Sequence, residues 1–402
     1  MKIIEGGVCA AAGFKAGAIY CGMKKSSKKK DLAVIVSDCL CSAAAVYTTN
    51  KVKASPLLVT REHLKDGHAK AVIVNSGNAN ACAPEGMENA KREAAAAAGF
   101  LGIGVGDVIV ASTGVIGQRM NVECIEDNLG NMQVEYDNST AAAEAIMTTD
   151  TKIKTIAVEF EAGGKTCHMG GICKGSGMIH PNMGTMLSFI TSDCAITSEL
   201  LSKALKSDVK KTYNRVTVDG DTSTNDMCVV LANGMAENSL ITEENEDFAV
   251  FSAALHLINE ELAKKIAGDG EGAGRLMTCT VKGAKDEETA ETLAKSVCGS
   301  SLVKAAMFGS DANWGRVLCA MGYSGADFDT EGVTVEFASS KGSVLVCEYG
   351  KGVDFDETLA KTILSEAEVE INVTLKEGEG KVSCWGYDLT YDYVKINGDY
   401  RS

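Results

Sequence analysis

Residues 174–193 read KGSGMIHPNMGTMLSFITSD. Turn-forming Pro181 and Asn182 lead to Gly184 and then to Thr185, which opens the apolar run Met186-Leu187-Ser188-Phe189-Ile190. As structure, a threonine at the head of a buried strand is ordinary. As chemistry, it is a hydroxyl nucleophile that stays weak at neutral pH until a base stands beside it. Thr185 is therefore either the first residue of a strand or a nucleophile that must be uncovered.

Five other loops share this texture: NSGNANAC at 75–82, STGVIG at 112–117, TTDT at 148–151, DGDTSTND at 219–226 and GSDANWGR at 309–316. Each sets small polar residues at the edge of an apolar run, where a turn with self-satisfied side chains is the usual outcome. Together the six are candidates to line one polar pocket. Nucleotide-binding loops are not supported. GDGEGAG at 268–274 lacks the G-x-G-x-x-G order, and GGICKGSG at 170–177 lacks that of G-x-x-x-x-G-K-[ST]. Cys167, His168 and Cys173 lack zinc-site spacing, so no metal is expected, and no G-x-S-x-G elbow is present.

The chain must supply elements that hold such loops together. Its 402 residues suffice for two or three domains, and 45% hydrophobic with 23% charged residues suffices for a core. A net charge of -15 disfavours binding to nucleic-acid backbones and anionic membranes. No apolar stretch approaches the roughly 18 residues of a membrane helix. Glu5, Gly6 and Gly7 interrupt the apolar start too early for a secretory signal. Fifteen scattered cysteines without a Cys-x-x-Cys pair read as reduced core residues, and thus as a cytoplasmic protein.

Apolar runs at 32–37, 71–77, 108–114 and 154–162 predict buried strands, the first three ending in small polar residues. The alanine-rich stretch 87–100 predicts a helix stopped by Gly99. Phe248, Phe251, Leu255, Ile258, Leu262 and Ile266 recur at spacings of three and four, predicting a helix over 243–266 capped by Thr242 and ended by Gly268. Two further helices with acidic starts are expected near 286–297 and 355–365. Strands outnumber helices without strict alternation, which predicts an α+β fold with helices packed on layered mixed sheets. A composition break at Lys282-Gly283-Ala284 marks a candidate domain boundary, with 283–402 as the C-terminal domain.

KGSGMIHPNMGTMLSFITSD, STGVIG, DGDTSTND, DANWGR and the closing YVKINGDYRS resemble the ornithine acetyltransferase family of arginine biosynthesis, the self-cleaving ArgJ family. The resemblance runs from about residue 75 to the end of the sequence. It implies an ArgJ/DmpA-like αββα sandwich with a smaller C-terminal α/β domain. It also implies a cut between Gly184 and Thr185, giving an α chain of 1–184 and a β chain of 185–402, assembled as two copies of each. Glycine at 184 departs from the family's usual alanine; it opens the carbonyl to attack but holds the backbone less firmly.

The cut makes chemical sense. It would give Thr185 its own α-amine, with an unperturbed pKa of about 7.7–8.0, suited to a general base near neutrality. By resemblance, Thr113 and Gly114 form the oxyanion hole, while Thr148, Lys174, Thr185, Glu271, Asn397 and Ser402 bind substrate. Lys174 is matched to the substrate α-carboxylate and Glu271 to the ornithine ammonium. The implied reaction moves an acetyl group from N-acetylornithine to glutamate through acetyl-Thr185, with no cofactor and with acetyl-CoA as a further candidate donor. Two other classes remain at this point: an amidase or aminopeptidase using water as acceptor, and a metabolite-binding protein that is never cut.

Intact-mass measurement separates the self-cut classes from the uncut one, and comparing acetyl transfer to glutamate with hydrolysis of N-acetylornithine separates transferase from amidase. Two polypeptides divided between Gly184 and Thr185 are expected, with Thr185→Ala remaining one chain; a Thr185→Ala protein that is both processed and active would remove Thr185 from the mechanism.

Overall fold

A computed structural model of the chain describes residues 1–24, 28–180 and 186–398. Gly184, Thr185 and Ser402 lie outside the described residues. The architecture is α+β.

The long strand Leu32–Tyr47 is the spine of a ten-stranded sheet. Its first half pairs antiparallel with Phe14–Ile19 on one side and His68–Asn75 on the other. Its second half pairs with Met227–Ala232. A register irregularity between Val36 and Cys41 separates the halves, the kind of feature that bends a strand. Beyond Met227–Ala232 the sheet continues through Leu187–Ser192, Lys165–Lys174 and Lys154–Ala162.

Alternation along these strands defines the layers. Cys228, Val230 and Ala232 face a core shared with Leu201 and Leu205 of the helix Ser198–Asp208 and with Phe251, Leu255, Ile258 and Leu262 of the helix Glu246–Gly268. Met227, Val229 and Leu231 face the opposite way, into a core with Ile35, Val72, Val74 and Ile109. The next positions on those strands, Val34, Ala71, Ile73, Val108 and Val110, face a third core against the helix Gly86–Leu101. The order is therefore helix, sheet, sheet, helix. Strands apolar on both faces require this double cover, which is why the runs read as continuous rather than alternating.

Several predicted ends move. The 243–266 helix is observed as Glu246–Gly268, and Asn245, not Thr242, caps it by accepting from the Phe248 N–H. Gly99 lies inside the helix Gly86–Leu101; Gly102, with φ +66, closes it instead. The two acidic-started helices appear as Glu287–Gly299 and Glu357–Leu364, capped by Asp286 and Asp356.

A second sheet of six strands begins at Leu276–Ala284, which runs parallel to Glu368–Thr374 and antiparallel to Gly380–Tyr387. The Lys282-Gly283-Ala284 break is a register shift at the end of that first strand. Trp385 and Tyr387 reach back into the first core.

Among the described residues, the strand Val108–Ser112 pairs on one side only, with His68–Asn75. On its open side the helix Ser55–His63 supplies the missing partners. The Thr60 hydroxyl donates to the Val110 carbonyl and accepts from the Val110 N–H, each at 2.8 Å, and His63 Nδ1 lies 2.7 Å from the Val108 carbonyl. Side chains here close an edge that backbone leaves open. Thr60→Val orphans two buried backbone groups and should cost about 1–3 kcal/mol, read as a lowered urea midpoint at unchanged slope.

The two long helices are also tied together. His256 Nδ1 lies 2.6 Å from Asp208 Oδ1, and Asn259 donates to Asp208 Oδ2 at 2.6 Å. Hydrogen bonds to Asp208 and Glu260 push the His256 pKa up to about 9. A pKa raised on folding contributes stability that is full below the ordinary histidine value and lost as pH rises through the folded one. Melting temperature should therefore fall between pH 7 and 10, and less steeply in His256→Gln.

Candidate active site

The ends of the sandwich strands and two later segments meet around a cavity of about 360 Å³, within the range of small-molecule sites. Its lining includes Ala79, Thr113, Gly114, Thr148, Lys174, Gly177, Met186, Asn225, Glu271 and Asn397. Five of the six polar loops singled out in the sequence thus contribute. GSDANWGR does not: it opens the helix Trp314–Gly322 in the second sheet's layer, with Asn313 as its cap.

Thr113 and Gly114 follow the strand Val108–Ser112. The Thr113 N–H donates to the Asn75 carbonyl at 3.0 Å, so its hydroxyl is the donor it retains for a ligand. Gly114 has φ +128, and a Cβ there would stand 2.6 Å from the Gly77 carbonyl carbon; no other residue fits. Asn225 clamps this corner, donating to the Ala79 carbonyl at 2.6 Å and to the Ser112 carbonyl at 2.8 Å. Behind it, Glu93 is fully buried, and burial pushes its carboxyl up to about 8.

Charged side chains of both signs line the cavity. Lys174 ends the strand Lys165–Lys174, is 7% exposed, and donates to the Thr148 hydroxyl at 2.7 Å. Glu271, 5% exposed, accepts from Asn397 Nδ2 at 2.7 Å. A Cβ at Gly177 would lie 2.4 Å from the Glu271 carboxyl, so glycine makes room for the acid. Neither charge is an ordinary surface residue. The helix Tyr391–Gly398 folds back to the cavity and brings Asn397 with it.

Composition and motifs did not single out three residues behind the cavity: Asp150, Lys154 and Asp269. Lys154 is 1% exposed and lies 2.7 Å from Asp150 Oδ1 and 2.5 Å from Asp269 Oδ2. Asp150 Oδ2 lies 3.8 Å from the Lys174 ammonium. Burial alone would raise the Asp150 pKa, but the Lys174 and Lys154 charges outweigh it and hold the carboxyl well below the usual range. Lys154 is the mirror case: burial lowers its pKa, and Asp150 and Asp269 more than restore it. The sequence signals were indirect: Asp150 lies in the polar loop TTDT, four residues before Lys154, and Asp269 lies in GDGEGAG. Among the described residues, no group of three or more His, Cys, Asp or Glu side chains is arranged to hold a metal ion.

Of the residues expected at the site, Thr113, Gly114, Thr148, Lys174, Glu271 and Asn397 line this one cavity. Met186, the residue after Thr185, lines it too. Thr185, Gly184 and Ser402 fall outside the described residues.

Comparison with known proteins places the chain in a family. The ArgJ family model matches residues 15–402. The arginine biosynthesis bifunctional protein ArgJ of Caldanaerobacter subterraneus is 49% identical over 405 residues, covering all of both chains. That of Bacillus subtilis is 46% identical over 401 residues, covering 99% of this chain and 97% of its own. A solved arginine biosynthesis bifunctional protein from Bacillus halodurans superposes with a TM-score of 0.51 at 47% identity, covering 53% of this chain and 99% of its own. With the family match and the two full-length relatives in accord, the chain belongs to the ArgJ family.

Proposed function

We propose that this protein moves the acetyl group of N-acetylornithine to glutamate during arginine synthesis, with Thr185 as the acetyl carrier. The observation that carries the reading is that a buried lysine and a buried glutamate line one cavity. Lys174 suits an α-carboxylate, and Glu271 suits an ammonium group further along the same substrate. Ornithine and its acetyl derivative have both groups. The relatives' shared name, an arginine biosynthesis bifunctional protein, supports the same substrate class.

The steps follow from the groups at hand. The chain is first cut between Gly184 and Thr185. The Thr185 hydroxyl oxygen then attacks the acetyl carbonyl carbon, and its proton passes to the Thr185 α-amine. Negative charge develops on the acetyl oxygen, where the Thr113 hydroxyl and the Gly114 N–H are the donors. The C–N bond breaks, the proton goes to the departing amine, and ornithine leaves an acetyl ester on Thr185. The glutamate amine attacks that ester and releases N-acetylglutamate. Nucleophile and base belong to one residue, so no Ser-His-Asp arrangement and no cofactor are required.

Cleavage draws support from lengths: almost the whole of the solved Bacillus halodurans chain spans 53% of this one, as a cleavage product would. Assembly of two α and two β chains in the cytoplasm belongs to the same reading, as does acetyl-CoA as a second acetyl donor.

Labelled N-acetylornithine incubated with purified, processed enzyme and glutamate should yield labelled N-acetylglutamate, with parallel double-reciprocal plots. Replacing the donor with acetyl-CoA tests the second activity. Release of free acetate at a rate indifferent to glutamate would instead identify a hydrolase.

A further inference from the structure

Four buried charges alternate behind the cavity: Lys174, Asp150, Lys154 and Asp269. Each carboxylate also gathers backbone. Asp150 accepts from the N–H groups of Thr148 at 3.1 Å and Gly175 at 2.7 Å, so it holds both loops that present Lys174 and its hydroxyl partner. Asp269 accepts from the N–H groups of Thr151 at 3.1 Å and Lys152 at 3.2 Å, and from the Thr151 hydroxyl. Its own carbonyl accepts from the Ser176 hydroxyl at 2.7 Å. Two residues further on, the Glu271 N–H donates to the Ser176 carbonyl at 3.0 Å.

Lys154 is the only member of the row in contact with both carboxylates. On one side stands the loop that carries the cation of the site; on the other stands the loop that carries its anion. A buried ion pair of this kind is a poor source of stability, because removing the charges from water offsets their attraction. Its better-attested effect is to fix one geometry among several.

We propose that Lys154 is a positioning residue: through Asp150 and Asp269 it fixes the separation of Lys174 and Glu271, and so sets which amino-acid side chain the site accepts. The inference rests on the acetyl-transfer reading, and it assigns different consequences to the two ends. Asp150 serves the α-carboxylate, which both substrates have. Asp269 serves the Glu271 loop, which meets the ammonium that only the ornithine substrate has.

Steady-state kinetics of the processed enzyme with both substrates tests this. Asp269→Asn should raise KM for N-acetylornithine roughly tenfold or more while leaving KM for glutamate within about twofold. Asp150→Asn should raise both KM values together. Asp269→Glu, which keeps the charge but lengthens the link by one methylene, should reproduce the selective rise from a folded protein, as judged by melting and by intact mass. Lys154→Arg, which also keeps the charge, should shift the ratio of the two KM values rather than kcat. Equal changes in both KM values for the Asp269 variants, or a fall in kcat alone, would overturn the inference and leave the acetyl-transfer reading standing. A wild-type enzyme that transfers no acetyl group from N-acetylornithine to glutamate would remove that reading and this inference with it.

Discussion

Strands that are apolar on both faces must be covered on both faces, and the rest of this structure depends on that constraint. Val229 and Val230 are neighbours in sequence but bury into different cores. The same holds for Ile73 with Val74 and for Ile109 with Val110. Helices could cover both faces of one flat sheet; here the two halves of the ten-stranded sheet stack on one another instead, with helices outside them. Once the faces are sealed, polar groups have room only where strands end. The loops after Ser112 and Lys174 are such ends, and the candidate active-site cavity lies there.

Electrostatics within the site follow from the same sealing. The protein carries a net charge of -15, yet its cavity is not simply acidic. Lys174 and Lys154 interleave with Asp150 and Asp269, so each buried charge has an opposite neighbour. Such a row has few ways to rearrange, because moving one member strands another away from both water and partner. Glu271 is matched differently, by the neutral amide of Asn397, which leaves its charge available to a ligand.

Much of this was legible in the residues themselves, for reasons that differ between elements. Lys154–Ala162 begins and ends where its apolar run does, because that run is bounded by charged and glycine residues. The strand that starts with the apolar run 32–37 extends ten residues beyond it. Its continuation to Tyr47 passes through Cys-Leu-Cys-Ser-Ala-Ala-Ala, whose small residues carry weak strand preference and are held by pairing with Met227–Ala232. Helix ends moved by a few residues because more than one capping side chain was on offer, as with Thr242 and Asn245. The family motifs led to the cavity-lining residues. The row behind them was not legible, since Asp150 and Asp269 are 119 positions apart in sequence and are brought together only by the fold, through Lys154 and the Thr151 and Lys152 N–H groups. GSDANWGR had the right texture in the wrong layer: composition marks a turn but not its location.

The strand Leu187–Ser192 lies inside the sheet, with Lys165–Lys174 hydrogen-bonded on one side and Met227–Ala232 on the other. One of those neighbours precedes the segment 181–185 and the other follows it. A break within that segment would turn the middle of a finished sheet into a boundary between two molecules, with the ladder across it already formed. Such molecules never have to find each other. Their pairing would form without the bimolecular encounter and the loss of translational freedom that ordinary subunits undergo on assembly, and the two could part only by opening the ladder between Leu187–Ser192 and Lys165–Lys174.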